Sequence, residues 1–177
     1  RGLRNYGFYL RPRHPSRGLA RRAAAYLPRP IRIAAVTPLG KRVIVNESVQ
    51  RLLRNLEKVV PAGRGVTKWL ADNQPDVLVA SPFIYPGPGL RQVGYVKAAR
   101  LMGIPTVVPV ASWDNLTTKG VFQVIPDLVL VWNRPLLDEA IELHHLPPDR
   151  IRVTGAPTFD FLFEMGPSLT RGSFGEK

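Results

Sequence analysis

The chain has no cysteine. That excludes a disulfide framework, a thiol nucleophile and any Cys-based metal site, and it fits a reducing compartment. Long hydrophobic runs are also missing. The longest apolar stretches, such as Val77 to Ala80 and Leu128 to Trp132, are strand-sized, far short of the roughly 20 residues needed to cross a bilayer. No signal peptide is visible. Histidine is scarce, with three in all, and neither a Ser-His-Asp order nor a pair of catalytic carboxylates stands out. His144 and His145 are adjacent, so on a helix they point about 100° apart and do not share one metal at the usual spacing. They read as helix-end residues, and His14, between two prolines, as solvated. Acidic residues are lacking where basic ones are densest. Residues 1 to 54 hold thirteen Lys and Arg against Glu47 alone, whereas the remainder is balanced at twelve of each. The whole net charge of +12 therefore belongs to the first third. Such asymmetry implies an anionic partner (a membrane surface, nucleic acid or phosphorylated substrate), against the plainer reading of a solvated Arg-rich helical face.

What is present fits one domain with a real core: 177 residues, 45% of them hydrophobic. The chain begins at Arg1 rather than Met and ends at Lys177 in a polar stretch, so a fragment of a longer protein is expected. Residues 1 to 27 read as two short helices separated by Pro12 and Pro15. Ile31 to Val36 reads as a short strand or connector. Glu47 to Val60, with Val49, Leu52, Leu53, Leu56, Val59 and Val60 at helical spacing and Asn46 as N-cap, predicts an amphipathic helix. Val66 to Asn73 predicts another.

From Pro75 the texture changes. Val77 to Ala80, Pro105 to Val110, Leu128 to Trp132 and Ile151 to Thr154 read as strands, the first as one buried on both faces. Gln92 to Met102, stopped by Gly103, and the run opened by Pro135 read as helices between them. Val121 to Val124 reads as a helical turn, Phe159 to Glu164 as helical, and the tail from Met165 as irregular. This alternation predicts an α/β fold, a Rossmann-like parallel sheet flanked by helices. The expected organisation is a basic, mainly helical segment at 1–74, an α/β core at 75–165 and a tail or linker at 166–177.

In open parallel sheets, ligands bind at the C-terminal ends of strands. That selects Ser81 to Leu90, Ser112 to Gly120 and Gly155 to Asp160. The middle loop is the richest. Asp114 is the candidate general base or hydroxyl acceptor, Lys119 a point charge for a phosphate, and Trp113 a plate for a sugar ring. Ser112, Asn115 and Thr117 join them as candidate binding residues, with Gly155 and Asp160 from the third loop. The competing reading is an ordinary polar loop with Asx turns. Gly87-Pro-Gly89 lacks dinucleotide spacing, and Pro88 removes a donor.

Three ordered blocks carry a resemblance: Ser112-Trp-Asp-Asn-Leu-Thr-Thr-Lys-Gly120, Pro126-Asp-Leu-Val-Leu-Val-Trp-Asn133, and Arg152-Val-Thr-Gly-Ala-Pro157 followed by Phe159-Asp160. Together they resemble bacterial GT-B-fold glycosyltransferase-like proteins and, more distantly, CDP-glycerol glycerophosphotransferases and UDP-N-acetylglucosamine 2-epimerases. The resemblance implies the N-terminal half of a two-domain enzyme. The nucleotide-sugar donor would be held mainly by a further C-terminal domain, and a sugar or lipid-linked acceptor by this half. The implied function is sugar or glycosyl-phosphate transfer in bacterial surface polysaccharide synthesis, at the cytoplasmic side and peripheral to the inner membrane face. Residues 1 to 54 would meet anionic lipid. Where glycerophosphotransferase relatives place a catalytic His, this chain has Trp113, Asp114 and Asn115, so Asp114 is a candidate by chemistry rather than by transfer. No cofactor or metal is expected. The alternatives are a nucleotide-sugar epimerase, and a nucleic-acid-binding module in which Arg4, Tyr6, Phe8, Tyr9 and Arg11 interleave charge with aromatics.

Overall fold

A computed structural model describes residues 1–12, 16–84, 91–168 and 171–175. It is an α/β structure with a four-stranded parallel sheet in the order β1-β2-β3-β4: Leu78–Val79, Thr106–Pro109, Leu128–Val131 and Ile151–Val153. All four strands lie where the apolar runs place them. The order has no reversal among the described strands, so no topological switch point lies between them.

Among the described residues six helices precede the sheet: α1 (Gly2–Tyr9), α2 (Arg17–Ala25), α3 (Arg29–Ala35), α4 (Pro38–Val45), α5 (Glu47–Val59) and α6 (Arg64–Asn73). Between the strands come α7 (Arg91–Leu101), the single turn α8 (Asn115–Thr118) and α9 (Arg134–His144); α10 (Arg171–Gly175) follows. The caps are those the sequence offers. Asn46 accepts from Ser48 N and Val49 N, and Asn133 from Leu136 N at 3.1 Å. Gly103 (φ 74°) ends α7 in the left-handed region that glycine takes without strain.

The register puts Ala80, Val108, Val129, Val131 and Ile151 in one cluster with Val93 and Val96 of α7 and Leu136 and Ala140 of α9. Both crossover helices therefore pack on one face of the sheet. α6 lies against α7, where Leu70 meets Ala98 and Ala99. Residues of the opposite face, among them Val79, Val107, Leu128 and Leu130, enter none of the described clusters, and Val79 is 61% exposed. The expectation that Val77 to Ala80 is buried on both faces is thus corrected: its alternate residues open outward because no described helix covers that side.

Five further expectations change. Ile31 to Ala35 is helical, with Val36 as the C-cap, since Pro30 fits the first turn of α3 and no described strand edge lies beside the run. Val121 to Val124 is not helical; side chains of α1 hold its backbone instead. Pro157–Phe163 forms 3-10 turns, and the tail carries α10. The largest change concerns α5, which turns its apolar stripe outward, leaving Leu52 and Leu56 exposed and Val59 75% exposed, while Gln50 and Glu57 are buried. Polar partners set this rotation. Gln50 Nε2 donates to Ile44 O at 2.7 Å, and the Glu57 carboxylate takes Arg1 at 2.8 Å and Lys97 Nζ at 3.1 Å.

The entry to β3 is joined to β2 by a reciprocal pair. Thr106 N and Oγ1 donate to Asp127 Oδ2 at 3.0 and 2.7 Å, and Asp127 N donates back to Thr106 Oγ1. Thr106 has no exposed surface. Thr106→Val keeps the shape and removes the hydroxyl, so a loss of about 1–3 kcal/mol is expected in urea unfolding; an unchanged midpoint would deny the pair a structural role.

Candidate functional site

The loop after β2 builds a closed local array. Asn115, buried, accepts from Ala111 N and Ser112 N at 3.1 Å each through Oδ1, which folds the chain back at the strand end. Leu116 is fully buried beneath it, and α8 forms a single turn. That turn aims Asp114 at three donors: Ser112 Oγ at 2.8 Å, Thr118 Oγ1 at 2.7 Å and Lys119 Nζ at 3.2 Å. Thr117 Oγ1 donates to Asp114 O at 3.3 Å. Partial burial alone would raise the Asp114 pKa. The hydrogen bonds from Thr118, Ser112 and Lys119 outweigh it and hold the carboxyl below the usual carboxylate range.

Two chemical consequences follow. Asp114 is ionised throughout the neutral range but is a weak proton acceptor, because an efficient general base has its pKa near working pH. It suits hydrogen-bond acceptance better than proton abstraction. Lys119 is committed to Asp114, so the loop offers a nearly neutral polar surface rather than a cationic phosphate cradle. Beside it Trp113 stands 71% exposed.

Of the expected residues, Ser112, Asp114, Asn115, Thr117 and Lys119 come together with Trp113. Gly155 (φ 84°) and Asp160 are exposed at the same end of the sheet, following β4. Two strand spacings, about 10 Å, separate their strand from β2. Among the described contacts none joins them to the Asp114 array; Trp132 and Phe159, edge to face at 5.5 Å, lie with the intervening strand end and the 3-10 segment. Of the loop after β1, residues 85–90, including Gly87-Pro-Gly89, lie outside the described residues, as do His14 and Pro15.

The supporting residues come from far away in sequence. Asn5 Oδ1 accepts from Val121 N at 3.1 Å and Gln123 Nε2 at 2.9 Å. Gly120 (φ 123°) fits against that amide, where a Cβ would lie 2.8 Å from Asn5 Oδ1. Arg22 donates to Thr118 O, and His144 Nε2 lies 2.7 Å from Leu116 O. Phe8 stacks on His144. Tyr6, Phe8 and Tyr9 are buried, which leaves cations rather than aromatics to any anionic partner, and the Tyr9 hydroxyl is pushed up to about 12 by burial. No signal short of the fold marks these residues. No group of three or more His, Asp or Glu among the described residues could hold a metal ion. No described helix is long and apolar enough to cross a membrane.

No protein-family model, curated protein or solved structure matches the chain.

Proposed function

We propose that the chain is the acceptor-side, Rossmann-like half of a GT-B-type transferase. The parent enzyme moves a sugar or glycosyl phosphate from a nucleotide donor to a sugar or lipid-linked acceptor in bacterial surface polysaccharide synthesis. The observation that carries the reading is the Asp114 array at the C-terminal end of β2, with an exposed tryptophan beside it. An aromatic plate gives a sugar ring its apolar face, and fixed hydroxyls and a carboxylate take its hydroxyl groups. The near-neutral pairing of Lys119 favours a hydroxylated rather than a phosphorylated moiety here. The donor falls to a second domain, with Gly155 and Asp160 toward that side.

The expected membrane association has its own support. The outward apolar stripe of α5 runs beside Arg51, Arg54 and Lys58, the combination that lies in an anionic lipid interface. It supports a location for the parent enzyme at the inner face of the membrane.

Equilibrium binding to a panel of monosaccharides and disaccharides tests the site. Trp113→Ala should weaken the best binder roughly tenfold through loss of stacking, on the scale of about 1 kcal/mol or more for an aromatic contact. Equal affinity with and without the indole would remove Trp113 from the site.

A further inference from the structure

At the opposite end of the sheet from Asp114 lies a cleft of about 960 Å³. It is bounded by the second half of α5, the end of α7, the stretch leading into β3 and the residues ahead of β4. Six cations line it: Arg4, Arg54, Lys58, Lys97, Arg100 and Arg150. The carboxylates that meet them are Glu57, on Lys97 and within electrostatic reach of Arg4, and Asp127, 3.8 Å from Arg100 and within reach of Arg150; Arg100 and Arg150 each also donate to a backbone carbonyl, of Ile125 and Pro126. Among the described residues no ion pair takes Arg4, Arg54, Lys58 or Arg150.

Ordinary structural reasons account for part of this set. Lys58 and Arg100 stand in the last turns of α5 and α7, where the helix dipole favours cations. Neither Arg54, in the body of α5, nor Arg4, buried in α1, has that reason. Arg4 donates to the carbonyls of Phe122 and Gln123, which fix its guanidinium without neutralising it. Burial and the adjacent Arg54 pull its pKa down to about 10. Like charges gathered this way repel, and an anion between them relieves the repulsion. The rest of the wall is apolar, with Val59, Val60, Leu101, Val124 and Ile125.

We propose that this cleft binds a phosphorylated ligand, with at least two phosphate groups engaged by Arg54, Lys58, Arg100 and Arg150 and a partly apolar carrier lying on the Val59–Leu101–Ile125 wall. Guanidinium forks match phosphate oxygens in pairs, and ammonium groups add point charge. The site lies toward the other end of the strands from Asp114, and His144 of its lining meets Leu116 O of the α8 turn. A soluble diphosphate and a lipid phosphate headgroup share the chemistry.

Calorimetric titration of the full chain with inorganic pyrophosphate tests the proposal. Saturable binding is expected, weakened at least about tenfold by Arg54→Ala/Lys58→Ala and by Arg150→Ala on the other wall. Arg29→Ala/Arg32→Ala, which removes one exposed and one half-buried charge from α3, should leave it within about twofold. Circular dichroism and melting of each variant establish that the fold is kept. Absent binding at low salt, or equal weakening by the α3 and cleft variants, overturns the site in favour of diffuse charge. Geranyl diphosphate binding about tenfold tighter than pyrophosphate identifies a lipid source; equal affinity identifies a soluble one. Asp114→Ala should leave pyrophosphate binding unchanged, which keeps this result separate from the fate of the sugar site.

Discussion

Glu57→Ala should lower the stability of the chain by about 3–5 kcal/mol, because it leaves the buried Lys97 cation without its counter-charge. Glu57 is 6% exposed and bridges Arg1 and Lys97, whose own side chain is 6% exposed. The bridge ties the start of α1, the end of α5 and the middle of α7 into one unit. At this chain length such a loss lowers the melting temperature by roughly 10 °C. Burial would raise the Glu57 pKa, but Arg1 and Lys97 hold it below the usual carboxylate range. Its contribution is therefore present above the unfolded-state value of about 4.3 and is lost as pH falls through the folded value. Wild type and Glu57→Ala should differ fully at neutral pH and converge at strongly acid pH. Glu57→Leu/Lys97→Met, which removes both buried charges, should recover much of the loss. A pH-independent difference would mean that Glu57 acts through packing alone.

The second large effect is on activity. Asp114→Ala in the parent enzyme should reduce transfer by about a hundredfold or more, the scale of a positioned group lost from a reacting centre. Asp114 organises Ser112, Thr118 and Lys119 at once, so its removal frees three donors and loosens α8. Asp114→Asn keeps an acceptor for the hydroxyls and loses the pairing with Lys119. It should retain more activity than the alanine variant if Asp114 binds a hydroxyl, and no more if Asp114 removes a proton. Because its pKa is held low, transfer should stay flat across the neutral range and fall only as pH drops through the carboxylate range. Unchanged turnover in Asp114→Ala would take the loop out of the site.

Local signals made the sheet and the Ser112–Lys119 loop legible. Pro75-Asp76, Pro105 and Pro126-Asp127 announce apolar runs of strand length, and each strand forms there. The contacts of the Asp114 array span at most five residues, within reach of a reading by spacing. What was not legible depends on partners far along the chain. The inward turn of the polar face of α5 is decided by Arg1 and Lys97, 56 and 40 residues from Glu57. Hydrophobic periodicity predicts the α5 helix and not which way it faces. The floor of the loop comes from Asn5, 116 residues from Val121. The cationic cleft gathers α1, α5, α7 and the approach to β4, so the first-third charge excess foreshadows only Arg4 and Arg54 of its lining.

The most direct test of the sugar-binding reading is an amide chemical-shift map of the labelled chain, titrated with the panel's tightest-binding sugar. Shifts should concentrate at Ser112 to Lys119, with a smaller group at Gly155 to Asp160, and should vanish in Asp114→Ala. Shifts elsewhere with none in the β2 loop, or no saturable shift with any sugar, would contradict it.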